Sequence, residues 1–165
     1  MLGGTFDPPH IGHLNISKIA IKKLKLNKLI WIVTQKNPLK KKPYLSTAMR
    51  IKLSKSITKN NKKILIKYLD NKVRSSYTFN LLNHLKKYNK KNNLFFLIGA
   101  DNLINFHKWE KWQKIPMLAK IVIFSRANYS KRAFNSVALK KLKRNDWMYI
   151  NEKKVNISSS LIRNF

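Results

Sequence analysis

The chain has 165 residues, 36 Lys plus Arg against 6 Asp plus Glu for a formal net charge of +30, and no cysteine. That length suits one domain with a sizeable core, and the missing thiols exclude disulfides and Cys-based metal sites and fit a cytoplasmic location. The opening Met1-Leu2-Gly3-Gly4 lacks the layout of a secretion signal, and the apolar stretch Leu94 to Ala100 is far too short to span a bilayer, so no membrane association is expected. The positive field attracts polyanions in general. Most of it is lysine, however, and Lys, Asn and Ile are all enriched by AT-rich codons, so the charge reads as solvated surface and no specific nucleic-acid partner is expected.

The first strand ends in Gly3-Gly4. Leu14, Ile16, Ile19, Ala20, Leu24 and Leu26 have helical spacing and predict a helix over 12–26. Leu29 to Val33 is a continuous β-rich apolar run, the pattern of a strand buried on both faces. Residues 35–46 form a proline-punctuated basic loop, and Ser46 caps a helix through about Ile57. Ile64-Leu65-Ile66 is a short strand, and Ser76 is expected to cap a helix from Tyr77 to about Tyr88. A second fully apolar strand, Leu94 to Ile98, runs into Gly99-Ala100-Asp101 and a short helical segment holding Leu103, Phe106 and Trp109. Ile121 to Phe124 and Trp147 to Ile150 are further strands, and Ser158-Ser159-Ser160 opens a terminal helix with Leu161 and Ile162.

This alternation implies an α/β fold: right-handed crossovers, a parallel sheet and helices on both faces, in one domain over residues 1–165. Ligands of such sheets bind at the carboxyl ends of the strands, where the strand order switches. The chemically loaded segments (Gly3–His13, Lys36–Lys42, Gly99–Trp109 and Ser125-Arg126) all follow predicted strands, so one site built from several loops is expected. Glycine is scarce, with four residues in all where average usage would give about a dozen. Gly3, Gly4, Gly12 and Gly99 are therefore expected where backbone geometry or close approach demands them.

The segment Gly3-Gly4-Thr5-Phe6-Asp7-Pro8-Pro9-His10-Ile11-Gly12-His13 places two histidines at a helix start. There, unpaired N–H groups and the positive dipole end suit phosphate. Gly12 has no side chain, so a flat base could lie against its backbone. At the other end of the chain, Ser158, Ser159 and Ser160 supply hydroxyls at a helix N-cap, and Arg163 follows one turn later, a set able to hold a triphosphate tail. Phe106 and Trp109, at i and i+3, also fit plain core. Asp101 also fits a helix cap, and Lys40 lies in a lysine run. His84 and His107 sit in no motif and read as surface or packing residues.

The first segment resembles the signature of the nucleotidyltransferase superfamily with the histidine-x-glycine-histidine motif, and Ile157 to Arg163 resembles the phosphate-binding Ile-Ser-Ser-Thr-x-x-Arg element of the same superfamily. The resemblance implies a Rossmann-like fold and transfer of a nucleotidyl group with loss of pyrophosphate. It implies that His10, His13 and Arg163 are catalytic. It also implies that Gly3, Gly4, Thr5, Phe6, Gly12, Gly99, Asp101, Ser158, Ser159 and Ser160 bind ATP. Ser76-Tyr77-Thr78, Gly99-Ala100-Asp101 with Phe106 and Trp109, and Asn37-Pro38-Leu39-Lys40 together look like the nicotinate-nucleotide adenylyltransferase family. By that resemblance Tyr77, Thr78 and Trp109 frame the nicotinate ring and its carboxylate, and Lys40 and Arg126 also bind substrate.

The implied substrates are ATP and nicotinate mononucleotide, joined by direct in-line attack of the mononucleotide phosphate on the α-phosphate of ATP. Mg²⁺ is the implied cofactor, held mainly by the ATP phosphates, with no protein metal site expected; a homo-oligomer stays open. Phosphopantetheine adenylyltransferase, with a similar Ile-Ser-Ser-Ser element, is the competing enzyme, and a non-catalytic basic nucleic-acid-binding module the competing class. Two departures stand out: family members carry more of the first strand before the glycine pair and a further helix after the serine element. Either the record is trimmed or the chain is minimal, and a stability below that of a longer form is expected.

Overall fold

The structure, a computed structural model, describes residues 1–37, 39–151 and 162. Ser158, Ser159, Ser160 and Arg163, with the terminal helix expected there, lie outside the described residues. The strands β1 (Leu2–Gly4), β2 (Leu29–Val33), β3 (Ile64–Lys67), β4 (Phe95–Gly99), β5 (Lys120–Phe124) and β6 (Trp147–Ile150) form a six-stranded sheet in the order β3-β2-β1-β4-β5-β6. This is the Rossmann order. The described residues fall into two compact units, one of Leu2–Ser76 and one of Met1 with Tyr77 onward.

In the first unit, β1 pairs parallel to β2 with Gly4 opposite Val33, and β2 pairs parallel to β3 with Leu29 opposite Ile64. Leu29, Trp31, Ile32 and Val33 are all 0–1% exposed, as expected of a continuous apolar run covered on both faces. Helix α1 (Ile11–Lys23) buries Leu14, Ser17 and Ala20. Helix α2 (Thr47–Thr58) is capped by Ser46, whose Oγ accepts from the Met49 N–H. Its buried residues are Arg50, Ser54 and Thr58, a polar set where a core-facing helix ordinarily presents apolar side chains. A one-turn helix α3 (Asp70–Val73) follows β3.

In the second unit β4, β5 and β6 run parallel, and Ile121, Val122 and Ile123 are fully buried. Helix α4 (Thr78–Tyr88) lays Leu81, Leu82 and Leu85 into the core. Its first residue is Thr78; Tyr77 is the extended N-cap residue and its side chain makes no cap hydrogen bond, so Ser76 does not hold the N-cap position expected of it. The expected helical segment after β4 is two pieces, α5 (Ala100–Leu103) and a 3-10 turn at Phe106–Lys108. The break turns both Phe106 and Trp109 toward one core cluster. Helices α6 (Ser130–Phe134) and α7 (Val137–Lys141) are too short to leave a readable period and were not anticipated.

Of the two reasons expected for the glycines, backbone geometry and close approach, a left-handed backbone is not the one at work. No described glycine has positive φ, while Phe6, Lys25, Arg74, Lys111 and Asn128 do, with φ between 49° and 65°. Lys25 is the clearest case. After the α1 C-cap Leu24, the Leu26 N–H reaches Ile21 O at 3.0 Å and the Lys25 N–H reaches Lys22 O at 3.4 Å. This is the Schellman pattern, with lysine where glycine ordinarily sits. A side chain in that region costs on the order of 1 kcal/mol. Lys25→Gly is expected to stabilise the chain by about that amount, read as a higher urea midpoint at unchanged slope; an unchanged or lower midpoint would contradict it.

Candidate active site

His10 is the N-cap residue of α1, and His13 occupies the first turn. The His10 backbone N–H donates to His13 Nδ1 at 3.3 Å. A nitrogen that accepts carries no proton, so neutral His13 bears its proton on Nε2 and is a donor there. The two imidazoles lie 3.8 Å apart between centroids, tilted by 31°. The ring of Phe6 stands 4.9 Å from His13 and stacks on Trp31 at 4.8 Å and 6°. Phe6 is 2% exposed, so contact with a nucleotide at this position falls to its backbone, and its ring serves as a floor for His13. Trp31 Nε1–H donates to Ser17 Oγ at 2.8 Å, and Ser17 Oγ–H donates to the His13 carbonyl at 2.7 Å. A strand indole thus orients the helix turn that carries the histidine.

Beyond the histidines, the loops that leave β1 and β2 are tied by buried charge. Arg50 is 1% exposed. Its Nη1 donates to Thr5 O at 2.6 Å and Thr34 O at 2.7 Å, Nη2 to Gln35 O at 3.1 Å and Thr47 Oγ1 at 2.9 Å, and Nε to Leu45 O at 3.1 Å. Burial lowers its pKa from the ordinary value, and the negative charge of Asp7 foremost opposes that shift. The Asp7 carboxylate accepts from the Tyr44 and Leu45 N–H groups, each at 2.9 Å. Asp70 Oδ2 accepts from the Gln35 N–H at 2.7 Å; burial pushes this carboxyl up, against the pull of Gln35 N–H and Arg50. Lys40 lies exposed in the loop between these ties.

In the second unit, Arg126 Nη1 donates to Asp101 Oδ2 in a short ion pair. Asp101 therefore has a charged partner, and Gly99, not Asp101, is the N-cap residue of α5. The other carboxylate oxygen, Oδ1, is buried and accepts no hydrogen bond among the described residues. A Cβ on Gly99 would lie 2.5 Å from that oxygen, although Gly99 has an ordinary φ of −77°. Close approach, rather than backbone conformation, explains this glycine. Trp109 is half-buried against Phe106, with centroids 5.2 Å apart; Tyr77 is exposed and Thr78 half-buried at the start of α4. His84 rests on Tyr88 at 4.9 Å, and His107 is half-buried with its Nδ1 enclosed.

Residues 1–165 match the family model described as Cytidylyltransferase-like. The chain is 45% identical over 163 residues to a protein of Pelagibacter ubique (strain HTCC1062) named "Probable nicotinate-nucleotide adenylyltransferase", covering 99% of this chain and 90% of that one. A protein of the same name from Bradyrhizobium sp. (strain ORS 278) is 32% identical over 181 residues, with 99% and 94% covered. Among solved structures, the Plasmodium falciparum nicotinic acid mononucleotide adenylyltransferase complexed with NaAD matches with a TM-score of 0.78 at 22% identity, covering 99% of this chain and 81% of that chain. The chain belongs to the nicotinate-nucleotide adenylyltransferase family.

Within this family the α/β Rossmann-like class expected from the strand and helix pattern holds. The residues that orient His13 (Phe6 by its ring, Ser17 and Trp31) were missed as such. Ser17 lies four positions after His13 on the same helix face, which was the available signal; nothing local marks Trp31. Arg50, Asp7 and Asp70 were also missed, because a buried arginine on a lysine-rich chain looks like one more surface charge. Ser17→Ala would strand the Trp31 N–H in the core, at a cost of about 1–3 kcal/mol. Chemical denaturation should show that loss; a variant within ~0.5 kcal/mol of the parent would contradict the relay.

Proposed function

We propose that the protein transfers AMP from ATP to nicotinate mononucleotide, giving deamido-NAD and pyrophosphate. The observation that carries this reading is the His10–His13 pair at the N-terminus of α1, with His13 Nε2 committed as a donor. An oxygen of the mononucleotide 5′-phosphate attacks the α-phosphorus of ATP in line. The new P–O bond forms as the bond to the bridging oxygen breaks, and pyrophosphate leaves with the electron pair. Negative charge grows on the α-phosphoryl oxygens, and placed donors stabilise it without a protein nucleophile. His10 and His13 take that role in our reading, together with the α1 dipole. Gly3, Gly4, Thr5, the Phe6 backbone and Gly12 line the turn that receives the nucleotide.

Ser158, Ser159, Ser160 and Arg163 are assigned to the triphosphate on the strength of their motif. Asp101 Oδ1, a buried acceptor without a partner among the described residues, suits a ribose hydroxyl, with Arg126 holding the carboxylate in place. The start of α4 has no acidic residue in its first turn, which suits the nicotinate carboxylate beside Tyr77 and Thr78. Trp109 offers an aromatic face to the ring. Lys40 faces phosphate in this reading.

Mg²⁺ would arrive with ATP. No group of three or more His, Asp or Glu able to hold a metal exists among the described residues. Asp7, Asp70 and Asp101 are each engaged by backbone N–H groups or arginine. The ion would then rest on phosphate oxygens and water, as Mg²⁺ commonly does in such sites. No described helix is long and apolar enough to cross a membrane, and we place the reaction in the cytoplasm.

Pyrophosphate release from Mg-ATP, with nicotinate mononucleotide, nicotinamide mononucleotide and phosphopantetheine offered in turn, tests the reading. Turnover should be fastest with the nicotinate acceptor, and His13→Ala should lower kcat by about 10²–10³-fold while the far-UV spectrum is retained. A preference for phosphopantetheine, or normal turnover in His13→Ala, would contradict it.

A further inference from the structure

Helix α2 turns Arg50 inward where an apolar side chain would ordinarily go, and the places its donors reach are informative. The β1–β2 ladder ends at Gly4 opposite Val33, closed by the Thr34 N–H to Gly4 O at 2.9 Å. One residue further on, no backbone pairing joins the two strands among the described residues, and a single guanidinium nitrogen takes over. Arg50 Nη1 bridges Thr5 O and Thr34 O at 2.6 and 2.7 Å. From Thr5 the chain runs to His10 and His13, and from Thr34 into the basic loop. The remaining donors hold Gln35 O at the near end of that loop and Leu45 O and Thr47 Oγ1 at its far end. Asp7, in the histidine turn itself, accepts from Tyr44 and Leu45. Both ends of the loop are thus fastened to the segment that presents the imidazoles, while Lys36, Lys40, Lys41 and Lys42 stay exposed between them.

We propose that Arg50, with Asp7, is a positioning unit that continues the sheet past its last backbone pair and sets His10 and His13 at a fixed spacing from the lysines of the 36–42 loop. Arg50 is too deeply buried to touch substrate and acts through those residues. This rests on the adenylyl-transfer reading for its effect on rate, but not for its effect on the loop. Lysine cannot replace the fork: an ammonium has three donors at one point, whereas the five acceptors here are met by three nitrogens spread around a rigid planar group. A merely structural arginine would lower stability when replaced and leave the native state's kinetics alone.

The test is Arg50→Lys in the full chain, measured well below its unfolding temperature. Cooperative unfolding should persist. Trypsin should cut after Lys36, Lys40 and Lys41 at least ~tenfold faster than in the parent. With Mg-ATP and nicotinate mononucleotide, kcat should fall by ~10–100-fold and KM for the nucleotide rise, as a displacement of about 1 Å does to an oriented site. A lower melting midpoint with unchanged kcat, KM and loop cleavage would overturn the proposal. If Arg50→Lys does not fold, Asp7→Asn, which replaces one acceptor oxygen with an amide N–H₂, is judged by the same readouts. A parent chain inactive toward every acceptor would remove the adenylyl-transfer reading; the trypsin comparison would then decide the positioning by itself.

Discussion

Everything proposed for catalysis passes through one hydrogen bond, from the His10 backbone N–H to His13 Nδ1. It satisfies an N-terminal donor of α1, which would otherwise need water or a cap, and uses an imidazole to do it. The same bond selects the His13 tautomer that carries its proton on Nε2. Stability and chemistry therefore use one contact. The neighbours are arranged to keep it: Phe6 adopts a left-handed φ of 49° and is sandwiched against Trp31, and Trp31 reaches back through Ser17 to the His13 carbonyl. A bulky residue at positive φ is a conformation that surrounding structure must enforce, and here that structure is the ring stack beneath the histidine.

The loops around this centre are held by charge buried in place of apolar packing. A parallel sheet stops pairing where its strands end, yet the segments we assign to the substrates begin there. The first unit resolves this with Arg50, Asp7 and Asp70, which supply side-chain bonds to Thr5, Thr34, Gln35, Tyr44, Leu45 and Thr47 beyond the last backbone ladder. Three of the chain's few charged residues that are not solvent-facing lysine lie in this one place. The second unit repeats the device on a smaller scale, where Arg126 holds Asp101 and Gly99 leaves room for the carboxylate.

What could be read from residues alone followed from how local the cause was. Continuous apolar runs announced β2, β4 and β5, because burial on both faces leaves no alternation to obscure them. Ser46 announced the start of α2, because a cap is a contact over three residues. The start of α4 falls one residue later than expected, at Thr78 with Tyr77 as N-cap residue, because either position can precede a helix and only the backbone turn decides which does. For Gly99 the residues alone left backbone geometry and close approach both open, and an oxygen two residues away, rather than a rare φ, is the reason. Three of the five rare φ angles went to Lys25, Arg74 and Lys111, where lysine and arginine take positions that glycine ordinarily fills. The roles of Arg50 and Trp31 depend on partners up to 45 positions distant, and no local pattern carries that information. The helix start beside the histidine pair was legible because its signal falls within one helical turn.

The most direct measurement is the ¹⁵N spectrum of the His13 imidazole at neutral pH, with and without a non-hydrolysable ATP analogue. The account predicts the Nε2–H tautomer in the free protein, with Nδ1 shifted as an acceptor, and a downfield change at the Nε2 proton when the analogue binds. A predominant Nδ1–H tautomer, or an Nε2 signal indifferent to the nucleotide, would contradict it.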